Sequence, residues 1–355
     1  MKTIVHIVES TATGTLSMVR LGANFQAESG YDVKVIYSIR EETPEGLASL
    51  FHPAVQLINV QMGSLKEKAL SLFEIRKIVS DSKPQAIFMH SSFAGFLGRL
   101  ALLGKGVKCF YLPHCISFMR RDISTIKRVL FTALEWAGAL KSATYVACSE
   151  SEGLAIKKHI PFRSCVVVEN AVNVNAWSYQ GDWNARKKQV ITVGQIRLQK
   201  DPMRFAQIAK AVLAQRNDVE FVWVGDGEPE SKQALIAAGV NVVGWKTPEE
   251  VKALLRSSRY YLSTALWEGM PVSPIEAMLS GCVAVLSDCA GNVDIVKSEH
   301  TGFVFKEREN AFLQINRLLD DEKLSEKLSE AGRIHSSKQY AVERYVREMN
   351  SLIKD

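Results

Sequence analysis

The sequence predicts an α/β chain of two doubly wound, Rossmann-like domains facing each other across a cleft. Three observations carry this. Strand-like runs rich in Val, Ile and Tyr alternate with segments long enough for crossover helices along the whole chain. Many of these runs are continuously apolar, as parallel strands buried on both faces require. The length of 355 residues suits two domains of ordinary size.

The first domain is expected over 1–170, with strands at 3–8, 33–38, 55–60, 86–90, 107–111 and 144–148. Met1 to Glu9 reads as its first strand and not as an export signal. The apolar run is short, is broken by His6 and lacks a small-residue cleavage site. Residues 171–188 are polar and weakly periodic and read as a linker. The second domain follows over 189–335, with strands at 189–193, 219–224, 241–243, 259–263, 282–286 and 302–305. A helix over 336–355 is expected to pack back on the first domain.

Helix starts are legible in the second domain. Asp201-Pro202 offers an N-cap followed by a first-turn proline. Thr247-Pro248-Glu249-Glu250 and Ser273-Pro274-Ile275-Glu276 both fit a capping box. Gly281 stands where a C-terminal cap belongs, so the last of these helices is expected over 274–280.

Composition narrows the function. Apolar residues make up 47% and charged residues 23%, which excludes a disordered tail, a collagen-like chain and a disulfide scaffold. The six cysteines (Cys109, Cys115, Cys148, Cys165, Cys282, Cys289) form no Cys-x-x-Cys pair, so reduced thiols are expected and no metal site. The formal charge of +6 lies wholly in residues 1–180, while the rest of the chain balances. One domain therefore meets something anionic: nucleic acid, a bilayer surface or a phosphorylated substrate. Nucleic acid is set aside for want of aromatic platforms or a reading motif.

Val129 to Leu140 is the most membrane-like stretch, but it contains Glu135 and falls short of the roughly 20 apolar residues of a span. Between Arg99 and Lys141 the charges are mainly basic (Arg99, Lys105, Lys108, Arg120, Arg121, Lys127, Arg128, Lys141 against Asp122 and Glu135). Met119 to Leu140 mixes them with apolar residues and Trp136. That composition fits a helix lying on an anionic bilayer, or an amphipathic core helix with a charged outer face.

The most informative segment is Ala265-Leu266-Trp267-Glu268-Gly269-Met270-Pro271-Val272-Ser273-Pro274-Ile275-Glu276-Ala277-Met278. It leaves a strand and enters a helix. A helix N-terminus offers free N–H groups and a partial positive charge to a phosphate. Glu268 and Glu276 offer acceptors to sugar hydroxyls, and Gly269 permits close backbone approach. Taken alone, Glu276 also fits a capping-box residue and Glu268 a solvated loop carboxylate. A second segment, Gly194-Gln195-Ile196-Arg197-Leu198-Gln199-Lys200-Asp201-Pro202, sets two cations beside a helix start, as a diphosphate clamp would.

The first of these segments closely resembles the signature of retaining glycosyltransferases of family 4, which have the two-domain GT-B fold. There too the two glutamates stand eight apart. The resemblance runs along most of the chain. It implies a nucleotide-sugar donor, a glycan or lipid-linked acceptor and hexose transfer in surface polysaccharide or lipopolysaccharide synthesis. It also implies residue roles. Glu276 would bind the ribose and Glu268 the transferred sugar near its anomeric carbon. Gly269, Met270, Pro271 and Val272 would touch sugar and diphosphate through their backbone. Lys200 matches the family's lysine, whereas Gln195 stands where an arginine is usual. Arg197 is the candidate replacement. Gly244-Trp245-Lys246 is similar to the segment that cradles the base, where Trp245 would stack or else pack in the core.

In the first domain, Thr13 and Gly14 follow the first strand in what looks like the family's glycine-rich loop, with Gly14 toward the donor and Thr13 toward the acceptor. Pro113-His114-Cys115 is similar to a Pro-His-Gly stretch whose histidine contacts the transferred sugar. Cys115 stands where glycine is usual. His90, Ser91 and Arg99 are expected to face the acceptor. No Asp-x-Asp motif occurs, so neither a metal nor a further cofactor is expected. Diphosphate charge would then be met by Lys200, Arg197 and helix N–H groups. The implied location is cytoplasmic, peripheral on the inner face of the plasma membrane. Two rivals are a nucleotide-sugar epimerase on the same fold and a non-catalytic two-domain sugar-binding protein of the periplasmic type. A dehydrogenase is disfavoured, since no Gly-x-Gly-x-x-Gly follows the first strand.

Overall fold

The computed structural model describes residues 2–11 and 13–354, with Thr13 described by its backbone alone. The chain divides into two units. One runs to Asn170 and includes the segment from Glu343 onward; the other is Ala171–Val342.

The first unit holds strands β1 (Thr3–Val8), β2 (Asp32–Tyr37), β3 (Gln56–Asn59), β4 (Ala86–His90), β5 (Lys108–Leu112), β6 (Thr144–Ala147) and β7 (Cys165–Val167). They pair in parallel in the order 3-2-1-4-5-6-7. Helices α1 (Thr13–Glu28), α2 (Leu65–Ser82), α3 (Ser92–Ala101), α4 (Thr125–Gly138) and α5 (Glu150–His159) make the crossovers. The central strands are buried along both faces, which is why their sequences are mainly apolar instead of alternating with polar residues. The three-residue β7 escapes sequence detection because it is too short for a periodic signal.

The second unit opens with the short helix α6 (Val174–Trp177) and strand β8 (Lys187–Val193). There follow α7 (Pro202–Leu213), β9 (Glu220–Val224), α8 (Pro229–Ala237), β10 (Val240–Gly244), α9 (Pro248–Ser257), β11 (Ser258–Ser263), α10 (Val272–Leu279), β12 (Val283–Ser287), α11 (Asn292–Ile295), β13 (Gly302–Phe305), α12 (Arg308–Asp320) and α13 (Glu322–Gln339). The six strands pair in parallel in the order 10-9-8-11-12-13. A final helix, α14 (Val342–Lys354), clusters with the first unit, where Arg344 donates to the Glu169 and Asn170 carbonyls at 2.8 and 3.0 Å.

Two boundaries differ from the sequence expectation. Residues 171–188 are no free linker. Trp183 is buried in the second core, between the Arg186 and Arg259 guanidiniums and edge-on to Tyr260. Polar flanks hid that anchor. The boundary expected at 335–336 falls inside α13, which runs on to Gln339.

Both sheets have the doubly wound order, with a reversal of direction between β1 and β4 in one and between β8 and β11 in the other. Ligands bind outside the carboxyl ends of strands at such switch points.

Candidate active site

In the second unit the switch point is spanned by an ion pair. Lys200 leaves the loop after β8 and Glu268 the loop after β11, and Lys200 Nζ donates to Glu268 Oε1 at 2.7 Å. Gln199 Nε2 donates to the other carboxylate oxygen at 3.1 Å and to the Trp267 carbonyl at 3.0 Å. Thr264 Oγ1 donates to the Lys200 carbonyl at 2.7 Å, so the two loops are stitched by backbone as well as charge. Burial alone would lower the Lys200 ammonium's pKa; the Glu268 carboxylate outweighs it and holds the pKa up. Glu268 is therefore a buried, fixed carboxylate and not a solvated loop group.

Close loop contacts explain two glycines here. At Gly225 (φ +135°) a Cβ would run into the Gly194 carbonyl, where the loops after β8 and β9 meet. At Gly291 (φ +83°) a Cβ would come within 2.6 Å of the Gly269 carbonyl and 3.0 Å of Glu268 Cβ. Any side chain at Gly291 would displace the catalytic candidate.

Helix α10 begins two residues earlier than the sequence suggests, with Pro271 at the N-cap and no side chain capping it. The expected Ser273–Glu276 capping box does not form. Ser273 lies inside the first turn, where its Oγ pairs with the Tyr261 hydroxyl at 2.9 Å. Glu276 is left half-buried, and it has no hydrogen-bond or ion-pair partner among the described residues. Burial pushes its carboxyl up to about 7, against a smaller lowering by Lys252. An unpaired half-buried carboxylate is unfavourable in the empty protein, and hydroxyl donors from a ligand would satisfy it. The Gly281 cap does form. Gly281 N–H reaches the Met278 carbonyl and Cys282 N–H the Ala277 carbonyl, at 3.0 and 2.9 Å.

Gly269, Met270 and Pro271 are buried and Val272 half-buried, lining the approach to the uncapped helix start. Gln195 and Arg197 are both exposed, flanking the buried Ile196. Ile196 bridges to Gly227 in an extended chain, so residues two apart fall on one side. That puts Gln195 and Arg197 on the same side of the chain. Trp245 is 63% exposed, which removes the core-packing reading.

In the first unit the carboxyl strand ends bring imidazoles together. His114 follows β5 with φ +54°, and Cys115 after it has φ +100°. Two consecutive non-glycine residues with positive φ are strained, and such strain gathers at functional sites. It is held by Glu152, whose Oε1 accepts from the Cys115 and Ile116 amides at 2.8 Å each. Its Oε2 accepts from the Cys148 amide, also at 2.8 Å. Glu152 is fully buried at the start of α5. The sequence reading missed it, although Ser149-Glu150-Ser151-Glu152 has capping-box spacing that would have drawn attention to it. Ser149 does cap the helix, while the glutamate is diverted to the loop.

Two expected acceptor contacts are corrected. Arg99 is completely buried, donating to Glu135 at 2.8 Å, to the Tyr145 hydroxyl at 2.6 Å and to the Gly95 carbonyl at 2.8 Å. Its guanidinium also lies over the Tyr111 ring. It is a fully buried core ion pair, out of reach of an acceptor. His90 is buried too, with its two ring nitrogens against His6 and His114. Ser91 has φ +71° and ψ 165°, a region normally reserved for glycine, and its buried hydroxyl has no partner among the described residues. Gly14 is exposed in the first turn of α1 with open space around it. The Thr13 side chain lies outside the described residues. No three His, Cys, Asp or Glu side chains cluster as a metal site among the described residues.

Helix α4 is amphipathic with its apolar side outward. Ile126, Val129, Leu130 and Trp136 are exposed, while Glu135 and Gly138 face inward. The reading of an ordinary core helix with a charged outer face is thereby overturned, because the inner face is filled by the Arg99–Glu135 pair. No helix among the described residues is long and apolar enough to cross a membrane.

Comparison with known proteins identifies the family and the fold. Residues 174–335 match the family described as Glycosyl transferases group 1, and residues 16–176 match Glycosyltransferase Family 4. A relative from Escherichia coli, UDP-Gal:alpha-D-GlcNAc-diphosphoundecaprenol alpha-1,3-galactosyltransferase, is 28% identical over 74% of this chain and 73% of its own. Another Escherichia coli relative, O-antigen biosynthesis glycosyltransferase WbnH, is 24% identical over 80% of both chains. Among solved structures, HepE of Anabaena in complex with UDP and glucose superposes with a TM-score of 0.83 at 16% identity, covering all of both chains. Sucrose-phosphate synthase of Thermosynechococcus elongatus gives 0.84 at 16% identity, covering 100% of this chain and 98% of its own. The two family matches together span nearly the whole chain, one on each sheet. The chain belongs to the family 4 type of glycosyltransferases with the GT-B fold.

Proposed function

We propose that this glycosyltransferase moves a hexose, with retention of anomeric configuration, from a nucleoside-diphosphate sugar to a hydroxyl of a lipid-linked glycan in bacterial surface polysaccharide synthesis. The single observation that carries the donor half is the Lys200–Glu268 pair across the second switch point, beside the uncapped α10 and the unpartnered Glu276. Glu276 takes the ribose hydroxyls, Trp245 the base, and Lys200, Arg197 and the α10 N–H groups the diphosphate, with no divalent ion required. The family resemblance gives Glu268 the role of contacting the transferred sugar near its anomeric carbon, and His114 that of contacting the transferred sugar.

The proposed chemistry balances without an enzyme nucleophile. The bond from the anomeric carbon to the diphosphate oxygen breaks. The acceptor oxygen bonds to that carbon on the same face. The acceptor's proton passes to the departing phosphate oxygen. The relatives named for transfer to diphosphoundecaprenol-linked sugars support a lipid-linked acceptor. The outward apolar stripe of α4, with Arg121 and Lys127 exposed beside it, supports placement on an anionic bilayer.

The test is transfer from a panel of UDP- and GDP-hexoses to polyprenyl-diphosphate-linked acceptors, with the product anomer read by NMR and EDTA in a parallel reaction. An α-linked product from an α-donor, undiminished by EDTA, is expected. An inverted product, loss of activity in EDTA, or sugar isomerisation without acceptor would sink the reading. Flotation with phosphatidylglycerol vesicles tests the bilayer. Leu130→Glu should release the protein, and a solution dimer broken by that substitution would assign the stripe to a second copy instead.

A further inference from the structure

The first unit contains a row of three imidazoles of which the proposed chemistry uses only the last. His6 sits in β1, His90 ends β4 and His114 follows β5. His6 pairs in register with Phe88, two residues before His90, so the two histidines share one face of the sheet. Successive rings lie nearly parallel, with centroids 5.2 and 5.3 Å apart. His6 Nδ1 meets His90 Nε2 at 3.0 Å, and His90 Nδ1 meets His114 Nε2 at 3.0 Å. At the inner end, Gln26 Oε1 lies 2.7 Å from His6 Nε2. Gln26, His6 and His90 are buried; His114 is half-buried.

An N–H···N contact needs one protonated and one bare nitrogen. Charge on these rings is disfavoured by burial, which pushes His6 and His114 down to about 4 and His90 well below the usual imidazole range. Each neutral ring then carries one N–H, and the choice propagates. The Gln26 carbonyl oxygen can only accept, so His6 carries its proton on Nε2. Its bare Nδ1 accepts from His90 Nε2–H. The bare His90 Nδ1 accepts from His114 Nε2–H. The last nitrogen, His114 Nδ1, is left bare, and it has no partner among the described residues.

We propose that Gln26, His6 and His90 are positioning residues that lock His114 in its Nε2–H tautomer, so that His114 Nδ1 stands as a fixed hydrogen-bond acceptor for a hydroxyl of the transferred sugar. Glu152 fixes where the ring sits, and the relay fixes which of its nitrogens carries the proton. The reversed chain would present Nδ1–H instead, a donor suited to a phosphate or carbonyl oxygen. The identity of the ligand rests on the glycosyltransferase reading given above; the tautomer does not.

The test is long-range ¹H–¹⁵N correlation on the full chain labelled at histidine, with His114→Gln assigning the resonance. We expect a bare Nδ1 and protonated Nε2 at His114, unchanged between about pH 8 and about pH 5.5. Gln26→Met and His6→Phe should turn that signal into a tautomer mixture. They should slow sugar transfer roughly tenfold and leave nucleoside-diphosphate affinity unaltered. A protonated Nδ1 at His114 in the unaltered protein overturns the proposal, as does a His114 tautomer indifferent to both substitutions. The spectrum is read without substrate, so it is decided separately from whether the chain transfers sugar. The measurement on the unaltered protein stands even if a variant fails to fold.

Discussion

At the β1–β4 switch point of the first unit, three neutral imidazoles are joined ring to ring, and the strain lies in the backbone at Ser91, His114 and Cys115. At the β8–β11 switch point of the second unit they are charged: Lys200 bonded to Glu268, with Glu276 unpaired nearby. The same topology thus positions two different chemistries. Histidines in a row can be buried because each stays neutral and satisfies the next. The second unit instead holds a buried carboxylate, Glu268, against the half-buried Lys200, with Glu276 half-buried and unpaired. One group of side chains is neutral and linked ring to ring; the other is built around an ion pair.

The largest expected effect breaks the first half of this comparison. Glu152→Ala strands three backbone amides in two loops, and chemical denaturation should show a loss of about 3–5 kcal/mol. Next, Lys200→Met leaves Glu268 without its cation. The transfer rate should fall about 10²–10³-fold, with the loss shared with Glu268→Gln in a double-mutant cycle.

The pH dependences of the two halves should run in opposite directions. His6 is held down near 4, so the native protein binds fewer protons than the unfolded chain between about pH 6.5 and about pH 4. Stability present above that window should be lost on acidification, by about 3 kcal/mol from His6 alone, and the loss should be smaller in His6→Phe. Glu276 is pushed up to about 7, so its contribution is present at low pH and lost as pH rises through 7. Glu276→Gln should therefore raise the melting temperature at about pH 8, with little effect near pH 4, while weakening nucleotide binding. The smallest effect concerns Arg197. Arg197→Gln should weaken diphosphate binding several-fold, and adding Gln195→Arg should restore it.

Much of the second site was legible in sequence because its signals are local. Glu268 and Glu276 share one strand–loop–helix segment, and Lys200 precedes a capped helix start. The spacing of the two glutamates could be read, although the start of α10 was misplaced: Ser273-Pro274 looks like a cap, yet Pro271 holds that position and frees Glu276. The first site was less legible because its contacts are long-range. His6 was noticed only as a break in an apolar strand. Its partners are 20 and 84 residues away, and no periodicity announces them. Arg99 misled for the same reason, since its partner Glu135 lies 36 residues on and turns a surface-looking basic residue into a core one.

The most direct test of the division between the two sites is calorimetric titration of UDP and GDP into the unaltered protein, Glu276→Gln, Lys200→Met and His114→Ala. The account predicts clear preference for one nucleotide, affinity reduced about tenfold or more in the two second-unit variants, and no change in His114→Ala. Nucleotide affinity that falls with His114 and survives loss of Glu276 and Lys200 would contradict it.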